Sequence, residues 1–384
     1  MEMKRKVIIY GPALVNTLGM IRSCGENGLS VHLMMQGGKS INDYVRFSRY
    51  IDKIHYINCD DDLLRILHRE YWNENEKIAI LCGGDDAIAL LDRYYDELKS
   101  RFLVFNCGET GKINYYLDKV NQFDIAEKAG LTLIKTWVVS DVRSVPDDIT
   151  FPCLTKGSNS TQSTKSDMHL CRSQEELLSC LEEGVEYLVQ EYIEKEYELN
   201  CVCLAYNQGD DFISPCVIRK IRDDIGRQSA YFCTDEYSNY PDFNKGILAN
   251  IAKLLHYEGI FSVEVIYSKG KYYFLEINMR NDGCGYLYTA AGCNYPLLWT
   301  LYAEGLLNEK TVKAINVKTP TFMMSEQDVR NLFDGKVGFG RWIRQFVASD
   351  AYYILSLRDP LPFIYSNLVH IKQFVKRLLG LPLV

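Results

Sequence analysis

The apolar positions of the first hundred residues come in short continuous runs separated by amphipathic stretches. Residues 7–10 (Val-Ile-Ile-Tyr), 30–35, 78–82 (Ile-Ala-Ile-Leu-Cys) and 102–105 (Phe-Leu-Val-Phe) each predict a buried strand. Helical spacing over 14–27, followed by Gly28, and again from Asp85 to about Lys99, predicts the helices between them. Strand, helix and strand at this spacing form βαβ units, so residues 1–112 are expected to be a small doubly wound α/β domain. From 113 the pattern changes. One helix is predicted over 113–130. Short strands follow at 136–139, 153–156, 187–192, 199–205, 213–221, 261–267 and 272–277, with helices at 174–182, 244–258 and 295–306. The last two strands are joined by Ser268-Lys269-Gly270-Lys271, a hairpin turn signal. The body after the first domain thus reads as α+β, and the chain beyond about 309 as a separate tail.

Composition narrows the function classes. The 384 residues carry 47% hydrophobic and 24% charged positions, ordinary for folded protein, and a net charge of −7. Such a balance argues against a broad nucleic-acid surface. The charge is uneven: residues 336–384 hold seven Lys/Arg and two acids, a net of +5 that leaves −12 on the rest. In this tail Leu368, Ile371, Val375 and Leu378 recur at helical spacing, with Lys372, Lys376 and Arg377 on another face. A basic amphipathic helix of this kind packs on an acidic body or lies on an anionic membrane. The 13 cysteines include no C-x-x-C pair and the six histidines are dispersed, so reduced thiols in a cytoplasmic protein are expected rather than a zinc site or a disulfide framework. The apolar stretch after Met1 is too short for a signal-peptide core, and 290–307 is broken by Asn294, Pro296 and Glu304. No G-x-G-x-x-G follows the first strand, which leaves a dinucleotide site unsupported.

The chemistry concentrates in residues 261–283. Glu264 stands on the first hairpin strand, and Glu276 and Asn278, two apart, share one face of the second. Folding the hairpin brings Glu264 back toward Glu276. Two carboxylates and an amide oxygen suit a hard cation such as Mg²⁺, with phosphate oxygens and water completing its shell. Arg280, two residues on, is expected on the same side, as a bidentate anion ligand. Along Arg219-Lys220-Ile221-Arg222, Lys220 and Arg222 are expected to share a face, with Arg219 on the other; that segment reads equally as an anion site or a solvated strand end. Asp85-Asp86 is expected to cap the helix it opens.

Glu276-Ile277-Asn278-Met279-Arg280 resembles the metal-binding strand of the ATP-grasp superfamily, which commonly reads E-I-N-x-R. Three further segments resemble that family in order: Asp118-Lys119 before a helix ending at Gly130, Phe151 to Lys156 as a lid strand ending in lysine, and Glu191-Tyr192-Ile193 with a second acid, Glu198, seven residues on. Arg219 to Arg222 is similar to a segment of carboxylate–amine ligases such as D-aspartate ligase. The resemblance implies an ATP-grasp fold preceded by its doubly wound domain, with a linker helix and lid at 113–190, a core at 191–308 and a basic extension at 309–384. It implies that Lys119 and Lys156 meet ATP phosphates, that the backbone around Glu191, Tyr192 and Ile193 holds the adenine edge, and that Glu198 accepts from the ribose. It also implies that Glu264, Glu276 and Asn278 hold Mg²⁺ (or Mn²⁺), and that Arg280 and Lys220 stabilise an acyl phosphate. The activity implied is an ATP-dependent ligation of a small carboxylate, such as an amino acid, to an amine. The alternative is an ATP-binding regulatory or scaffold protein. Members are commonly homodimers. Residues 157–165, ending in Lys165, depart from the family's usual Gly-rich lid loop and read equally as a phosphate cradle or a solvated polar loop.

Overall fold

The computed structural model describes residues 5–37, 39, 43–141, 143, 145–158, 168–223 and 229–378. The expected phosphate loop from 159 to Lys165, and Asp224 to Gly226, lie outside the described residues. The chain forms two compact units. Unit 1 takes Met1–Phe105, Arg280–Phe322 and Ser349–Val384; unit 2 takes Asn106–Met279 and Met323–Ala348.

Unit 1 begins with β1 (Lys6–Gly11), α1 (Val15–Gly25), β2 (Ser30–Gln36), β3 (Ile51–Ile57), α2 (Asp60–Glu70), β4 (Ile78–Cys82), α3 (Asp85–Arg93), α4 (Tyr95–Leu98) and β5 (Phe102–Leu103). The strands form a five-stranded parallel sheet in the order β3-β2-β1-β4-β5. β1 and β4 are central and buried on both faces, which is why they read as unbroken apolar runs. β3 and α2 do not stand out in the sequence. β3 is an edge strand carrying Asp52, Lys53 and His55, and such a strand need not alternate cleanly. α2 buries only Leu63, Ile66 and Leu67, while its three opening aspartates and closing His68 and Arg69 suit the helix dipole.

Unit 2 opens with α5 (Lys112–Leu117) and α6 (Val120–Ala129), and continues through β6 (Thr136–Val139), β7 (Cys153–Gly157), β8 (His169–Cys171), α7 (Gln174–Cys180) and β9 (Tyr187–Glu191). After these come β10 (Tyr197–Tyr206), β11 (Asp211–Ile213), β12 (Val217–Arg222), β13 (Tyr231–Asp235), α8 (Gly246–Leu255), β14 (Gly259–Ser268) and β15 (Lys271–Asn278). β6-β9-β7-β8 make a small antiparallel sheet whose core includes Trp137, Cys153, Leu177 and Val189. The larger sheet runs β15-β14-β10-β12-β13, with β11 beside β10. The β14–β15 turn has positive φ at both central residues, +48° at Lys269 and +79° at Gly270, as a two-residue hairpin of right-handed twist requires. Two sequence expectations change. The single helix over 113–130 is two helices, broken at Asp118, whose backbone is extended and whose carboxylate accepts from the Val120 N–H at 3.0 Å. The strand over 213–221 is two, parted at Ser214-Pro215-Cys216, since proline donates no ladder hydrogen bond.

The chain then returns to unit 1 as α9 (Gly285–Ala291), α10 (Tyr295–Ala303) and α11 (Glu309–Lys313). α12 (Ser325–Phe333) and α13 (Phe339–Ala348) belong to unit 2, and α14 (Leu361–Leu378) to unit 1. α9 and α10 pack on α1, and Trp299 of α10 meets Phe105 edge to face at 5.1 Å. α14 seats Tyr365 on the Phe47 ring at 4.1 Å and leaves Leu361, Ile364 and Leu368 exposed. The side chains of Ile371, Val375, Lys376, Arg377 and Leu378 are outside those described. Among the described residues no helix is long and apolar enough to cross a membrane. All 13 cysteines are free and ten are buried, so most serve as small apolar core residues.

A polar cluster on the outer strands of unit 1 has a consequence for pH. The buried Tyr71 hydroxyl sits 2.8 Å from His32 Nδ1 and 3.0 Å from His55 Nε2. Burial, helped by the Lys6 and Lys53 charges, pushes the His32 imidazole down to about 4; burial lowers His55 as well, against the pull of Glu70. The folded chain therefore takes up these protons later than the unfolded chain, whose histidines titrate near about 6.5. Their contribution to stability is full above that pH and falls as pH drops toward 4. Urea midpoints measured between pH 7 and 4 should fall less steeply in His32→Gln than in the parent.

Candidate functional site

One face of the larger sheet in unit 2 carries a row of alternating charges. In the β14–β15 ladder the turn register would set Glu264 against Leu275, but a register shift between Glu264 and Val265 places Glu264 directly opposite Glu276, and Ser262 opposite Asn278. Asn200 of β10 opposes Glu264 on its other side, and Glu198, two residues back, opposes Lys220 of β12. Asn278 Nδ2 lies 3.3 Å from Glu276 Oε1 and 3.5 Å from Glu264 Oε1. Two carboxylates opposed across a ladder repel, and cations on both flanks offset that. Lys119, at the break between α5 and α6, reaches Glu276 at 3.2 Å. Lys220 donates to Glu264 at 2.6 Å and to Glu198, and Lys195 donates to Glu198 at 2.6 Å and to Asp223.

Burial alone would lower the Lys220 ammonium, but Glu198 and Glu264 hold it well above its ordinary value. Burial would likewise raise the Glu198 carboxyl, and Lys220, then Lys195, hold it well below its ordinary range. Both groups are therefore charged at neutral pH. Lys156 of β7 is buried and donates to the Leu275 carbonyl at 3.4 Å, next to Glu276. The backbone N–H of Lys119 donates to the Ser158 carbonyl at 3.0 Å, which ties the α6 entry to the exit of β7. In the link leaving β9, the Glu191 and Tyr192 N–H groups bond to the Lys135 and Pro152 carbonyls at 3.0 and 3.1 Å. Those two donors are thus engaged within the fold.

The structure brings Lys119, Lys220, Glu198, Glu264, Glu276 and Asn278 into one contiguous polar row. It treats the two arginines differently. β15 ends at Asn278, so the alternation expected to carry Arg280 onto the same side stops there. Arg280 belongs to unit 1, where it grips Asp85 bidentately at 2.8 and 3.2 Å. Asp85 accordingly makes no cap: Gly84 holds the cap position of α3, without a side-chain cap bond. Arg222 is separated from Lys220 by a register shift in the β12–β13 ladder, so strict alternation does not relate the two. Its guanidinium pairs with Asp328, with Nε–Oδ1 at 2.6 Å, and donates to Gln345 at 3.0 Å. It therefore ties β12 to α12 and α13.

One positioning residue was missed in the sequence. Gln122 of α6 is buried; its Nε2 donates to the Ile277 carbonyl at 3.0 Å and to the Tyr116 carbonyl at 2.7 Å, and its Oε1 accepts from the Ile277 N–H at 2.8 Å. The amide thus clamps the peptide between Glu276 and Asn278. Its signal was a polar residue in the apolar stripe Gln122, Ile125, Ala126, Ala129. Gln122→Leu leaves buried peptide groups unpaired, at a cost of about 2–3 kcal/mol, and loosens the backbone that carries Glu276 and Asn278. A lowered melting temperature together with weaker Mg²⁺ dependence of any ATP turnover is the expected result; Gln122→Glu, which keeps an acceptor for the Ile277 N–H, should recover part of it.

Comparison with known proteins agrees with this architecture. Residues 124–296 match the model of the ATP-grasp domain. No curated protein matches the chain. Among solved structures, an L-amino acid ligase from Bacillus licheniformis is similar at 12% identity and a TM-score of 0.63, over 83% of this chain and 80% of that one. The N5-carboxyaminoimidazole synthetase of Staphylococcus aureus, complexed with ADP, is similar at 13% identity and a TM-score of 0.61, over 86% and 87%. The biotin carboxylase domain of the Hydrogenobacter thermophilus 2-oxoglutarate carboxylase, in complex with MgADP and bicarbonate, is similar at 19% identity and a TM-score of 0.61, over 84% and 74%. At these identities the likeness establishes fold. The chain carries an ATP-grasp domain over residues 124–296.

Proposed function

We propose that the protein is an ATP-dependent, ADP-forming ligase that joins a carboxylate to an amine through an acyl phosphate. The observation that carries this is the opposition of Glu264 and Glu276 beside Asn278, with Lys119 and Lys220 on the flanks. Two carboxylates and one amide oxygen fit a hard divalent cation and leave room in its shell for phosphate oxygens and water. In this reading Glu264, Glu276 and Asn278 hold Mg²⁺ or Mn²⁺, whose chemistry is to neutralise charge on the transferring phosphate. Lys119 and Lys156 meet the ATP phosphates. The Glu191-Tyr192-Ile193 link borders the adenine, and Glu198, ionised and oriented by Lys195 and Lys220, accepts from the ribose. Lys220 is better read as a positioning residue than as a direct partner of the reacting phosphate, because two carboxylates already hold it. Arg280 is held bidentately by Asp85 within unit 1, so by the same argument it too is read as a positioning residue.

The substrate carboxylate attacks the terminal phosphate and ADP leaves. The amine then attacks the acyl carbon, and inorganic phosphate departs. The protein's part is alignment and charge neutralisation rather than covalent catalysis. Dependence on ATP fits a cytoplasmic enzyme acting on small molecules. ADP release measured across D- and L-amino acids with amine acceptors tests the reading, and hydroxylamine should trap the activated acid as a hydroxamate. ATP binding without substrate-dependent ADP release would point instead to a regulatory or scaffold role.

A further inference from the structure

One surface of unit 2 takes no part in this chemistry. α12 ends in Phe333, 83% exposed, and α13 exposes Phe339 (68%), Ile343 (38%) and Val347 (75%). Residues four apart on a helix advance by about 40° around it, so Phe339, Ile343 and Val347 form one narrow stripe. Trp342 and Phe346, stacked at 5.3 Å, adjoin the stripe and are half-buried, while Gln345 turns inward to accept from Arg222. Arg341 and Arg344 occupy the remaining exposed side. Between Asp334 and Asp350 the only charged residues are Lys336, Arg341 and Arg344. A helix that served only the fold would turn its apolar stripe inward, yet α13 has no buried residue.

We propose that α13, with Phe333, seats on an anionic membrane surface, its apolar stripe entering the headgroup boundary and Lys336, Arg341 and Arg344 meeting lipid phosphates. The charge favours lipid over a second copy of the chain. Two-fold pairing of α13 with itself would set Arg341 and Arg344 against their copies, and α13 carries no acid to offset them. A membrane requires no groove and supplies the negative charge. On α14, too, the exposed Leu361, Ile364 and Leu368 are accompanied by an exposed cation, Lys372, and no acid follows Asp359. The contact lies on the surface rather than through the bilayer, since no described helix is long and apolar enough to span.

The test uses the full-length protein and vesicles of phosphatidylcholine, alone or mixed with phosphatidylglycerol. Binding to the mixed vesicles, its loss on raising salt, and a blue shift of tryptophan emission are expected. Replacing Phe339, Ile343 and Val347 together by serine should weaken vesicle binding by about tenfold or more, with melting temperature and ADP release unchanged. Arg341→Glu with Arg344→Glu should remove the preference for anionic lipid. Unchanged vesicle binding of the triple variant overturns the proposal. So does a concentration-dependent dimer, in the absence of vesicle binding, that the triple variant loses, because that outcome assigns the stripe to a second copy.

Discussion

Glu276→Ala is expected to abolish substrate-dependent ADP release, by on the order of 10³-fold or more, while leaving the fold intact. Glu276 stands opposite Glu264, 3.3 Å from the Asn278 amide and 3.2 Å from Lys119. Removing it takes away one of only two carboxylates in the proposed donor set and leaves Lys119 without its anion. The fold should tolerate the change, because the residue sits at the accessible side of the row and its loss relieves the repulsion from Glu264. Melting temperature in the absence of Mg²⁺ should shift by no more than the equivalent of about 1 kcal/mol, whereas the stabilisation that Mg²⁺ with ATP gives the parent should vanish. Undiminished turnover would remove the metal assignment. A collapse of the melting temperature would make the residue structural. Lys220 offers a contrast: Lys220→Met should cost several kcal/mol, because it leaves Glu198 and Glu264 buried without their shared cation.

The second large effect is expected far from this site. Arg22 of α1 is fully buried, as is Asp359, which its Nε meets at 3.1 Å. The guanidinium also donates to the carbonyls of Tyr353, Ile354 and Asp359 at 3.2, 2.7 and 3.2 Å. Asp359 in turn accepts from the Ser48 hydroxyl at 2.8 Å and the Arg49 N–H at 2.9 Å. Every partner belongs to unit 1, so this network binds the 349–360 segment to the first helix of the chain, more than three hundred residues away in sequence. Asp359→Ala leaves a desolvated guanidinium without its charge partner. A loss of about 3–5 kcal/mol follows, read as a drop of about 10 °C in the melting of unit 1. Asp359→Asn keeps acceptors for Ser48 and Arg49 and should cost less. Equal stability of Asp359→Ala and the parent would show that the segment is not needed for unit 1. Removal of residues 349–384 should be at least as damaging as Asp359→Ala.

Legibility divides by how local the cause is. β1 and β4 were visible because a strand buried on both faces must be apolar throughout, and the β14–β15 turn because Lys269-Gly270 can hold two positive φ angles. Strand alternation put Glu276 and Asn278 on one face, but it took the bulge beside Glu264, which the sequence does not announce, to bring Glu264 opposite Glu276 rather than Leu275. β3 and α2 escaped because an edge strand and a helix with a thin apolar stripe leave weak patterns. The break at Asp118, which sets Lys119 against Glu276, lies within what reads as continuous helix.

By itself, then, the sequence determined the parallel sheet of the first unit, the turn between β14 and β15 and the shared face of Glu276 and Asn278. All of these depend on residues a few positions apart, through strand period, helix period and turn conformation. Only the tertiary structure decided which charges meet. Lys220 turns to Glu198 and Glu264 through a register between β10 and β12, and Arg222 goes to Asp328. Arg280 goes to Asp85, Gln122 to the peptide of Ile277, and Arg22 to Asp359. Every buried charge must find a partner, but sequence spacing does not say which one across such distances. The packing of whole elements decides it.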